Sequence, residues 1–492
     1  MEEFQFKYST PERQGVKSEA IINFLNKAEQ VQTKDMDQEF HSFMMLRHGY
    51  VIAEGWWEPY QRNLPHSLFS LSKSFTSTAI GYAVTEGLLS VEDFVVSYFT
   101  EECPNPSGYL AQMRIKDLLS MSTGHVVDTT HNILAREDHN WVKAFLEIPV
   151  EKEPGTYFLY NTGATYMLSV ILQRLTGQML IDYLRPRFFE PLGIKNPSWA
   201  VCPMGYNTGG FGLSLSTEDI AKMGLLYINQ GVWNGKQLLP KEWIWEATSF
   251  QITNGDVQTS DWCQGYGYQF WQCRHESYRG DGAFGQYCIV MPKEDVVLAI
   301  TGGMKDMQLT LDIIWDSLLS GIMDEELPDS PQHKLLVEKL SSLKVPMPLG
   351  NTTSKLIPDI SEKEYAISNS DRFDSVRFEF YDDKLKMTLG SGDYKQTLDI
   401  GVGYWAEGYM QHLGSKDHVM FSGIWEDETT LLIQCRYIET PYAVQYRFVF
   451  ENGQVRMEST VNVSFGVAMW DEMLGINDCF NPKKVPSQQA TT

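Results

Sequence analysis

Hydrophobic residues early in the chain follow helical spacing in some segments and strand-like spacing in others. Residues 18–29 carry apolar side chains at helical spacing behind a serine, which predicts a helix. Residues 42–57 form two apolar runs around a His-Gly pair, which predicts a β-hairpin. From about residue 67 to 200 the spacing is mainly helical, with helices predicted over 70–87 and 163–177, each ending at a glycine. We therefore expect a helical lobe inserted after the first strands.

The pattern changes again beyond residue 210. Ser216 and Asp219 have the spacing of a capping box, in which each side chain bonds the backbone amide of the other residue, so a helix is predicted there. Strand-like runs return at residues 265–273, 286–292 and 296–303, and an amphipathic helix follows at 311–322. Early and late strands around a helical middle predict one antiparallel sheet, built from both ends of this region and covered by helices.

Composition then separates a second region from the first. Residues 326–362 are rich in Pro, Gly and Ser and predict a linker with a short helix inside. Residues 363–480 contain at least seven short alternating runs with turn signals between them, which predicts a smaller all-β, barrel-like domain. The predicted fold class is therefore α+β. Residues 1–325 form the sheet-and-helix domain, 363–480 the all-β domain, and 481–492 a flexible tail.

The charge of the chain argues against two classes of partner. It has 40 Lys and Arg against 63 Asp and Glu, a formal net charge of −23, and no run of basic residues. Nucleic acid and anionic membranes both require a basic face, so we expect neither as a partner. The N-terminus is acidic where a signal peptide would be basic, and no window of about 18 apolar residues follows, so we expect a cytoplasmic protein.

Metal and disulfide chemistry have no signal in the sequence. The seven cysteines are an odd number, are scattered and include no CxxC pair, which favours reduced thiols over disulfides or a zinc site. The ten histidines include no HExxH motif. We therefore predict no metal and no cofactor.

Ser70 and Lys73 are the first candidates for chemistry. A serine at a helix N-terminus with a lysine three residues later places the hydroxyl and the amine on one face, within hydrogen-bond reach. Burial lowers the pKa of a lysine amine, so that it can accept or share the serine proton. The same spacing also occurs by chance, as at Ser341 and Lys344 in the predicted linker. Taken alone, the pair is also explained by a capped helix with a surface-directed lysine.

A second candidate segment follows in the expected order. Tyr160 stands just before the helix predicted at 163–177. A loop tyrosine in this position can serve a Ser/Lys pair as a general base or proton shuttle. The alternative is a buried ring with a satisfied hydroxyl.

A third segment is a glycine-rich strand. Gly280, Asp281 and Gly282 form an edge along which a substrate can lie close to the backbone. The amide of Ala283 can then join the amide of Ser70 in binding an oxyanion. The alternative is a bulged strand or a tight turn.

The combination resembles the serine β-lactamase and penicillin-binding-protein superfamily. The similarity is to its class C-like branch of hydrolases, D-alanyl-D-alanine carboxypeptidases, D-aminopeptidases and esterases. It covers about residues 10–322 and, besides the three segments above, includes residues 43–57, 118–125, the helix after Ser216, and 285–287. The resemblance implies a β-lactamase/transpeptidase-like fold for this region.

The resemblance also implies roles for individual residues. Ser70 would be the acylated serine, Lys73 the motif lysine and Tyr160 the tyrosine of the second motif. Residues 280–282 would be the third-motif strand, with Ala283 supplying an oxyanion amide. The function expected from these roles is a serine hydrolase acting on a small ester, amide or D-amino-acid-containing substrate through an acyl-enzyme.

Two positions depart from the superfamily's motifs. The second motif is usually Tyr, any residue, Asn, whereas here Asn161 comes one place early and Thr162 stands where Asn is expected. Residues 280–282 read Gly-Asp-Gly in place of the common Lys-Thr-Gly, which removes the cation that would hold a carboxylate. Arg279 is adjacent but is expected on the opposite strand face. We therefore do not expect efficient β-lactamase or cell-wall peptidase activity.

Other functions fit parts of the sequence. Residues 280–285 match GxGxxG, but a dinucleotide-binding motif must open a helix, and here a strand is predicted. A Ser-His-Asp hydrolase would use His66 or His125, but no GxSxG is present, so we expect both histidines to be structural or to line the pocket. The remaining alternative is a non-catalytic binding or sensing protein that keeps the fold. The oligomeric state stays open.

Overall fold

The structure, a computed structural model, describes residues 4–32, 36–367, 373–412 and 415–465. Its helices are α1 (Ser18–Gln30), α2 (Ser72–Thr85), α3 (Ile115–Leu119), α4 (Thr130–Leu134), α5 (Trp141–Glu147), α6 (Thr162–Thr176), α7 (Leu180–Leu184), α8 (Thr217–Ile228), α9 (Lys241–Thr248), α10 (Met307–Leu318), α11 (Pro331–Leu340) and α12 (Ile357–Ile360). Its first twelve strands are β1 (Lys7–Tyr8), β2 (Gln38–Arg47), β3 (Tyr50–Trp56), β4 (His66–Ser67), β5 (Ser198–Trp199), β6 (Leu213–Leu215), β7 (Val232–Trp233), β8 (Lys236–Gln237), β9 (Trp271–Gln272), β10 (Tyr278–Gly282), β11 (Gln286–Met291) and β12 (Val296–Met304).

Seven of these strands form one sheet in the order β1-β3-β2-β12-β11-β10-β9. The hairpin of β2 and β3 is the one predicted from the sequence, and β12 pairs antiparallel with β2. The late strands therefore join the early ones, which confirms a sheet built from both ends. The edge strand β1 is the exception to the antiparallel pattern, because it runs parallel to β3.

Both faces of this sheet are covered, as the all-buried strand β2 requires. Met44 and Leu46 pack on the side of the helical lobe and α8, whereas Phe43 and Met45 pack on the side of α1 and α10. Alternate residues thus enter two separate cores, which explains why the run from Phe43 to Leu46 is apolar without alternation.

The helices follow local sequence signals closely. The predicted helices at 18–29 and 163–177 are α1 and α6, and α8 begins behind Ser216 with the expected capping box. The last predicted helix, α10, begins at Met307, earlier than expected, because the Asp306 side chain accepts from the Leu309 amide and caps it.

The strand predicted at 265–273 is mostly wrong. Only Trp271 and Gln272 are in a strand, β9. Gln269 has a φ of +68°, a left-handed conformation that no strand residue adopts. The apolar pattern there reflects burial of a turn and not a regular strand.

The segment predicted as a linker is partly packed against the first unit. Leu336 of α11 is buried in the same core as Phe24 of α1, together with Leu343 and Val345. The backbone of Glu58 hydrogen-bonds Leu343 and Val345, which fixes this segment beside β3. The boundaries 325 and 362 stay a prediction.

The C-terminal unit is a nearly closed, barrel-like sheet, which confirms the predicted fold class. Its strands are β13 (Glu364–Ala366), β14 (Ser375–Phe380), β15 (Lys384–Ser391), β16 (Tyr394–Val402), β17 (Ala406–His412), β18 (Ser415–Trp425), β19 (Thr430–Tyr437), β20 (Ala443–Glu451) and β21 (Gln454–Val461). Their order is β13-β14-β15-β16-β18-β19-β20-β21, with β17 paired to β18. The ring of Tyr365 on β13 lies 5.7 Å from that of Phe450 on β20, and β13 also contacts the last strand, β21, so the two ends of the sheet approach each other. The predicted tail at 481–492 lies outside the described residues.

The two units share a buried ion pair. The Arg436 guanidinium on β19 donates to the Glu39 carboxylate on β2, and both side chains are inaccessible to solvent. Removing one partner of such a pair typically costs about 3–5 kcal/mol, because the other charge is left buried and unpaired.

Within the described residues, no helix combines the length and apolar character needed to cross a membrane.

Candidate active site

Ser70 lies in a short turn, Phe69–Leu71, that leads into α2. The α-helix itself begins at Ser72 and not at residue 70, because Phe69 has a φ of +48° and the Leu71 amide bonds back to the Leu68 carbonyl. The turn keeps the Ser70 hydroxyl at the helix entrance, where Lys73 of the first helical turn can reach it. The Lys73 Nζ lies 3.1 Å from the Ser70 Oγ.

Lys73 is buried in a polar cage. Its side chain is 1% exposed, and its amine also contacts the Thr162 Oγ1 at 3.1 Å and the Gly210 carbonyl oxygen at 2.7 Å. Burial lowers the pKa of Lys73 from 10.5 to about 7, against the opposing attraction of Asp128 and Asp281. A substantial fraction of the amine is therefore neutral near pH 7 and has a lone pair for the Ser70 proton.

Tyr160 approaches the same group from the loop before α6. Tyr160 lines the same cavity as Ser70, and its ring centroid lies 5.0 Å from the Lys73 Nζ. The ring stacks on Trp271 at 5.2 Å, which fixes its orientation. Burial raises the pKa of Tyr160, and the charge of Asp281 raises it further. The phenol therefore stays protonated near neutral pH, which suits a proton shuttle better than a standing base.

Asn161 and Thr162 take different roles. The Asn161 side chain caps α6 by accepting from the Gly163 amide at 3.1 Å, and it also accepts from the Thr129 hydroxyl at 2.7 Å. Thr162, the residue at the usual Asn position, is the one that contacts Lys73. The structure therefore brings Thr162 into the Ser70 group and leaves Asn161 outside it.

The strand β10 runs against the Ser70 turn because two of its residues have no side chain. A Cβ at Gly280 would lie 2.5 Å from the Ser74 Oγ, and a Cβ at Gly282 would lie 1.9 Å from the Leu68 carbonyl oxygen. No lysine can occupy position 280 in this arrangement. Residues 280–285 continue into β11 as a hairpin and open no helix, unlike a dinucleotide-binding motif.

Arg279 and Asp281 occupy the other face of β10. The Arg279 Nε donates to the Asp281 carboxylate at 2.8 Å, and the guanidinium lies 4.4 Å from the ring of Trp262. Burial raises the pKa of Asp281, while its pairing with Arg279 opposes that shift. The charge of Arg279 is thus already neutralised by Asp281, and this arginine does not replace the lysine of the usual third motif.

These residues surround one cavity of about 380 Å³. Ser70, Tyr160, Thr162, Asp281 and Ala283, all candidates from the sequence, line it. The remaining lining residues were not predicted from the sequence: Phe69, Asp128, Phe211, Trp262, Trp271, Met307 and Phe465. Asp128 lies three residues after the 118–125 segment, which carries part of the family resemblance. This closeness to a recognised segment is the one feature of the sequence that could have pointed to Asp128 as a site residue.

Neither candidate histidine reaches this cavity. His66 Nε2 pairs with His41 Nδ1 at 3.1 Å, and His125 Nδ1 pairs with the Thr123 hydroxyl at 2.9 Å. Burial lowers the pKa of both His66 and His125 to about 4, so both are neutral at ordinary pH. Of the two roles expected from the sequence, structural or pocket-lining, the structure therefore supports the structural one for both histidines.

A larger cavity of about 1120 Å³ lies elsewhere in the described part of the chain, beside Phe4, His48 and Trp233. Its lining includes no serine, threonine or cysteine among the described residues. The smaller cavity is therefore the candidate active site, because it is the one that contains a hydroxyl next to a buried amine.

The family model described as Beta-lactamase matches residues 36–303, more than half of the chain. This chain belongs to the Beta-lactamase family. The match spans the site residues predicted from the sequence, from Ser70 to Ala283, and confirms the resemblance seen in the sequence. The chain is thus a member of the serine β-lactamase superfamily, and its matching relatives include hydrolases.

Individual relatives are distant. A 6-aminohexanoate-dimer hydrolase of Paenarthrobacter ureafaciens is 23% identical over 303 residues, which cover 57% of this chain and 76% of that protein. A lovastatin esterase of Penicillium rubens is 26% identical over 173 residues, 30% of this chain and 42% of that protein. The solved octameric penicillin-binding protein homologue from Pyrococcus abyssi aligns with 89% of this chain and 96% of its own, at 15% identity and a TM-score of 0.48.

Proposed function

We propose that this protein is a serine hydrolase that acts on a small ester, amide or D-amino-acid-containing substrate through an acyl-Ser70 intermediate. The observation that carries the proposal is the buried Lys73 amine 3.1 Å from the Ser70 hydroxyl, in a cavity that also contains Tyr160. A buried amine with a lowered pKa next to a serine is the requirement for an activated nucleophile.

In the acylation step, the Ser70 Oγ attacks the substrate carbonyl carbon while its proton moves to the neutral Lys73 amine. The carbonyl oxygen becomes an oxyanion, which the backbone amides of Ser70 and Ala283 bind. Tyr160 passes its proton to the leaving oxygen or nitrogen as its bond to the carbonyl carbon breaks, and it is reprotonated by the Lys73 ammonium, which becomes neutral again. The products are an ester of Ser70 and a free alcohol or amine.

In the deacylation step, water replaces the leaving group. It loses a proton to the Lys73 and Tyr160 pair as it attacks the ester carbonyl, and the proton returns to Ser70 as the acyl–oxygen bond breaks. The product is a carboxylic acid, which ionises and leaves a cavity that already contains Asp128 and Asp281. Repulsion from Asp128 favours release, whereas the charge of Asp281 is balanced by Arg279.

The charge of the cavity supports a neutral or cationic acyl group. Asp128 and Asp281 both line it, and Arg279 is already paired with Asp281. A substrate carboxylate would find no unpaired guanidinium or ammonium on β10. This supports the expectation that efficient penicillin hydrolysis and cell-wall carboxypeptidase activity are absent. The relatives' names include a dimer hydrolase and an esterase, which supports hydrolysis without selecting one substrate.

Covalent labelling tests the proposal against the alternative of a non-catalytic binding protein. The purified chain should react with a fluorophosphonate probe and release nitrophenol from a neutral nitrophenyl ester. Ser70→Ala should abolish both signals, and mass spectrometry should place the adduct on the peptide containing Ser70. A folded wild type without a Ser70-dependent adduct would favour the binding role.

A further inference from the structure

Two phenylalanines flank the residues proposed to bind the oxyanion. Phe69 directly precedes Ser70, and Phe284 directly follows Ala283. Their φ angles are +48° and +65°, a left-handed conformation that bulky residues adopt only where packing holds them in it. The path of the backbone beside each of the two amides therefore depends on what fixes these two rings.

The two rings first fix each other. Phe69 and Phe284 meet edge to face, with centroids 5.6 Å apart and an interplanar angle of 84°. This contact ties the turn before α2 to the end of β10, so that Ser70 and Ala283 face one cavity. Aromatic pairs of this geometry are favourable beyond the area that they bury.

The C-terminal sheet then holds both rings from outside. Tyr442, just before β20, lies 6.1 Å from the Phe69 ring and 6.0 Å from the Phe284 ring. Phe465, after β21, lies 6.0 Å and 4.6 Å from the same two rings. Phe69 and Phe284 thus belong to the hydrophobic core of the C-terminal sheet and not to either core of the first unit.

The turn that carries Tyr442 is anchored beside the nucleophile. The Glu439 carbonyl accepts from the Ser67 amide at 2.8 Å, three residues before Ser70. The buried pair of Arg436 with Glu39 fixes the end of β19 that leads into this turn. The turn between β19 and β20 therefore cannot shift without moving the segment that ends at Ser70.

We propose that the C-terminal sheet is a required part of the active site and that Tyr442 is its positioning residue. The Tyr442 ring holds Phe69 and Phe284 in their left-handed conformations, and these in turn aim the Ser70 and Ala283 amides at one point. Tyr442 does not line the cavity and acts only through the two phenylalanines. The inference rests on the proposed function, because it assigns a purpose to an oxyanion site.

The test compares four full-length variants with the wild type. Tyr442→Ala removes the ring, Tyr442→Phe keeps it, and Tyr442→Leu keeps bulk without an aromatic edge. Tyr446→Ala is the matched control, because Tyr446 is a similarly buried tyrosine of the same core whose ring contacts Phe373 and Phe448 instead. The measurements are the fluorophosphonate labelling rate, and kcat and KM for a neutral nitrophenyl ester.

Tyr442→Ala should lower kcat and the labelling rate at least about tenfold, since losing one oxyanion donor lowers kcat by about 10²–10³. KM should change less than about threefold, because Tyr442 does not line the cavity and ground-state binding is retained. Tyr442→Phe should restore the rates, and Tyr446→Ala should stay near the wild type. The pH at which activity is half-maximal should not move, because the Lys73 cage is unchanged.

Three results would overturn the inference. Tyr442→Ala and Tyr446→Ala could have equal rates, or Tyr442→Phe could be as slow as Tyr442→Ala, or KM could account for the whole loss. If Tyr442→Ala does not fold, Tyr442→Leu is judged by the same criteria, with labelling measured on the folded fraction. A wild type that forms no Ser70 adduct would instead refute the proposed function, so the two failures are distinguishable.

Discussion

Replacing Lys73 with Met tests the burial of the amine separately from its role in catalysis. The wild-type amine has a pKa lowered by burial from 10.5 to about 7. Between these two values the unfolded chain binds a proton that the folded chain does not. The free energy of unfolding of the wild type therefore rises with pH across this window, and the Lys73→Met variant lacks this contribution.

The size of the effect follows from the pKa difference. A change from 10.5 to about 7 corresponds to about 5 kcal/mol, and this cost of burying the charged amine is fully present below pH 7. It diminishes as the pH approaches 10.5, the ordinary value for lysine. From about pH 6 to pH 9, the free energy of unfolding of the wild type should thus rise by about 2–3 kcal/mol relative to that of Lys73→Met.

Urea denaturation followed by tryptophan fluorescence at several pH values between 6 and 9 measures this difference. Ser70→Ala, which keeps the amine, should show the wild-type pH dependence and serves as the control. Ester hydrolysis by the wild type should fall as the pH drops through about 7, because the protonated amine cannot accept the Ser70 proton. Parallel stability curves for wild type and Lys73→Met would refute the argument, since they would mean that the folded amine keeps an ordinary pKa.

Four further predictions concern the surroundings of the amine, the strand β10 and the charge of the cavity. Thr162→Val removes an acceptor that positions the Lys73 amine and should lower kcat/KM for a nitrophenyl ester by up to about tenfold, because a hydrogen bond of the neutral amine contributes about 0.5–1.5 kcal/mol. Asn161→Ala should mainly lower the melting temperature, through loss of a helix cap worth about 1 kcal/mol. Gly282→Ala should slow fluorophosphonate labelling at least about tenfold, because its Cβ would lie 1.9 Å from the Leu68 carbonyl oxygen and displace the strand. Esters with a carboxylate on the acyl group should be hydrolysed at least about tenfold more slowly than neutral esters of equal length, a difference of about 1.4 kcal/mol.

Specific outcomes would contradict these predictions. Equal kcat/KM values for Thr162→Val and Asn161→Ala would mean that the threonine hydroxyl does not hold the amine in place. Wild-type labelling by folded Gly282→Ala would mean that β10 does not approach the Ser70 turn as described. A carboxylate ester hydrolysed as fast as its neutral counterpart would mean that an unpaired cation reaches the substrate.

Several parts of this structure depend only on residues close together in the sequence. Ser216 and Asp219 fix the start of α8 because a capping box needs residues three apart and nothing else. Ser70 and Lys73 lie within reach for a similar reason, since one turn of chain separates them. The period of two on β10 likewise puts Gly280 and Arg279 on opposite faces.

Where the hydrophobic pattern predicted the wrong element, the cause is a backbone conformation that the number of apolar residues does not reveal. The predicted strand at 265–273 is apolar because it is buried, but Gln269 takes a left-handed conformation that ends any strand. The expectation of no nucleic-acid or membrane partner rests on charge alone and stays a prediction. The choice of Asn161 as a site residue also stays a prediction, and in the structure its side chain caps α6.

The tertiary structure decided everything that depends on distant segments meeting. Asp128 and Trp262 enter the cavity from loops, and Trp271 enters it from the short strand β9. None of them belongs to a motif, because the packing of buried faces and not local spacing brings them there. Tyr442 reaches Phe69 across more than 370 positions of sequence, through a docking surface that no periodicity encodes. Spacing along the chain thus determined which side chains could form a nucleophile, whereas the packing of the two units decided what surrounds it.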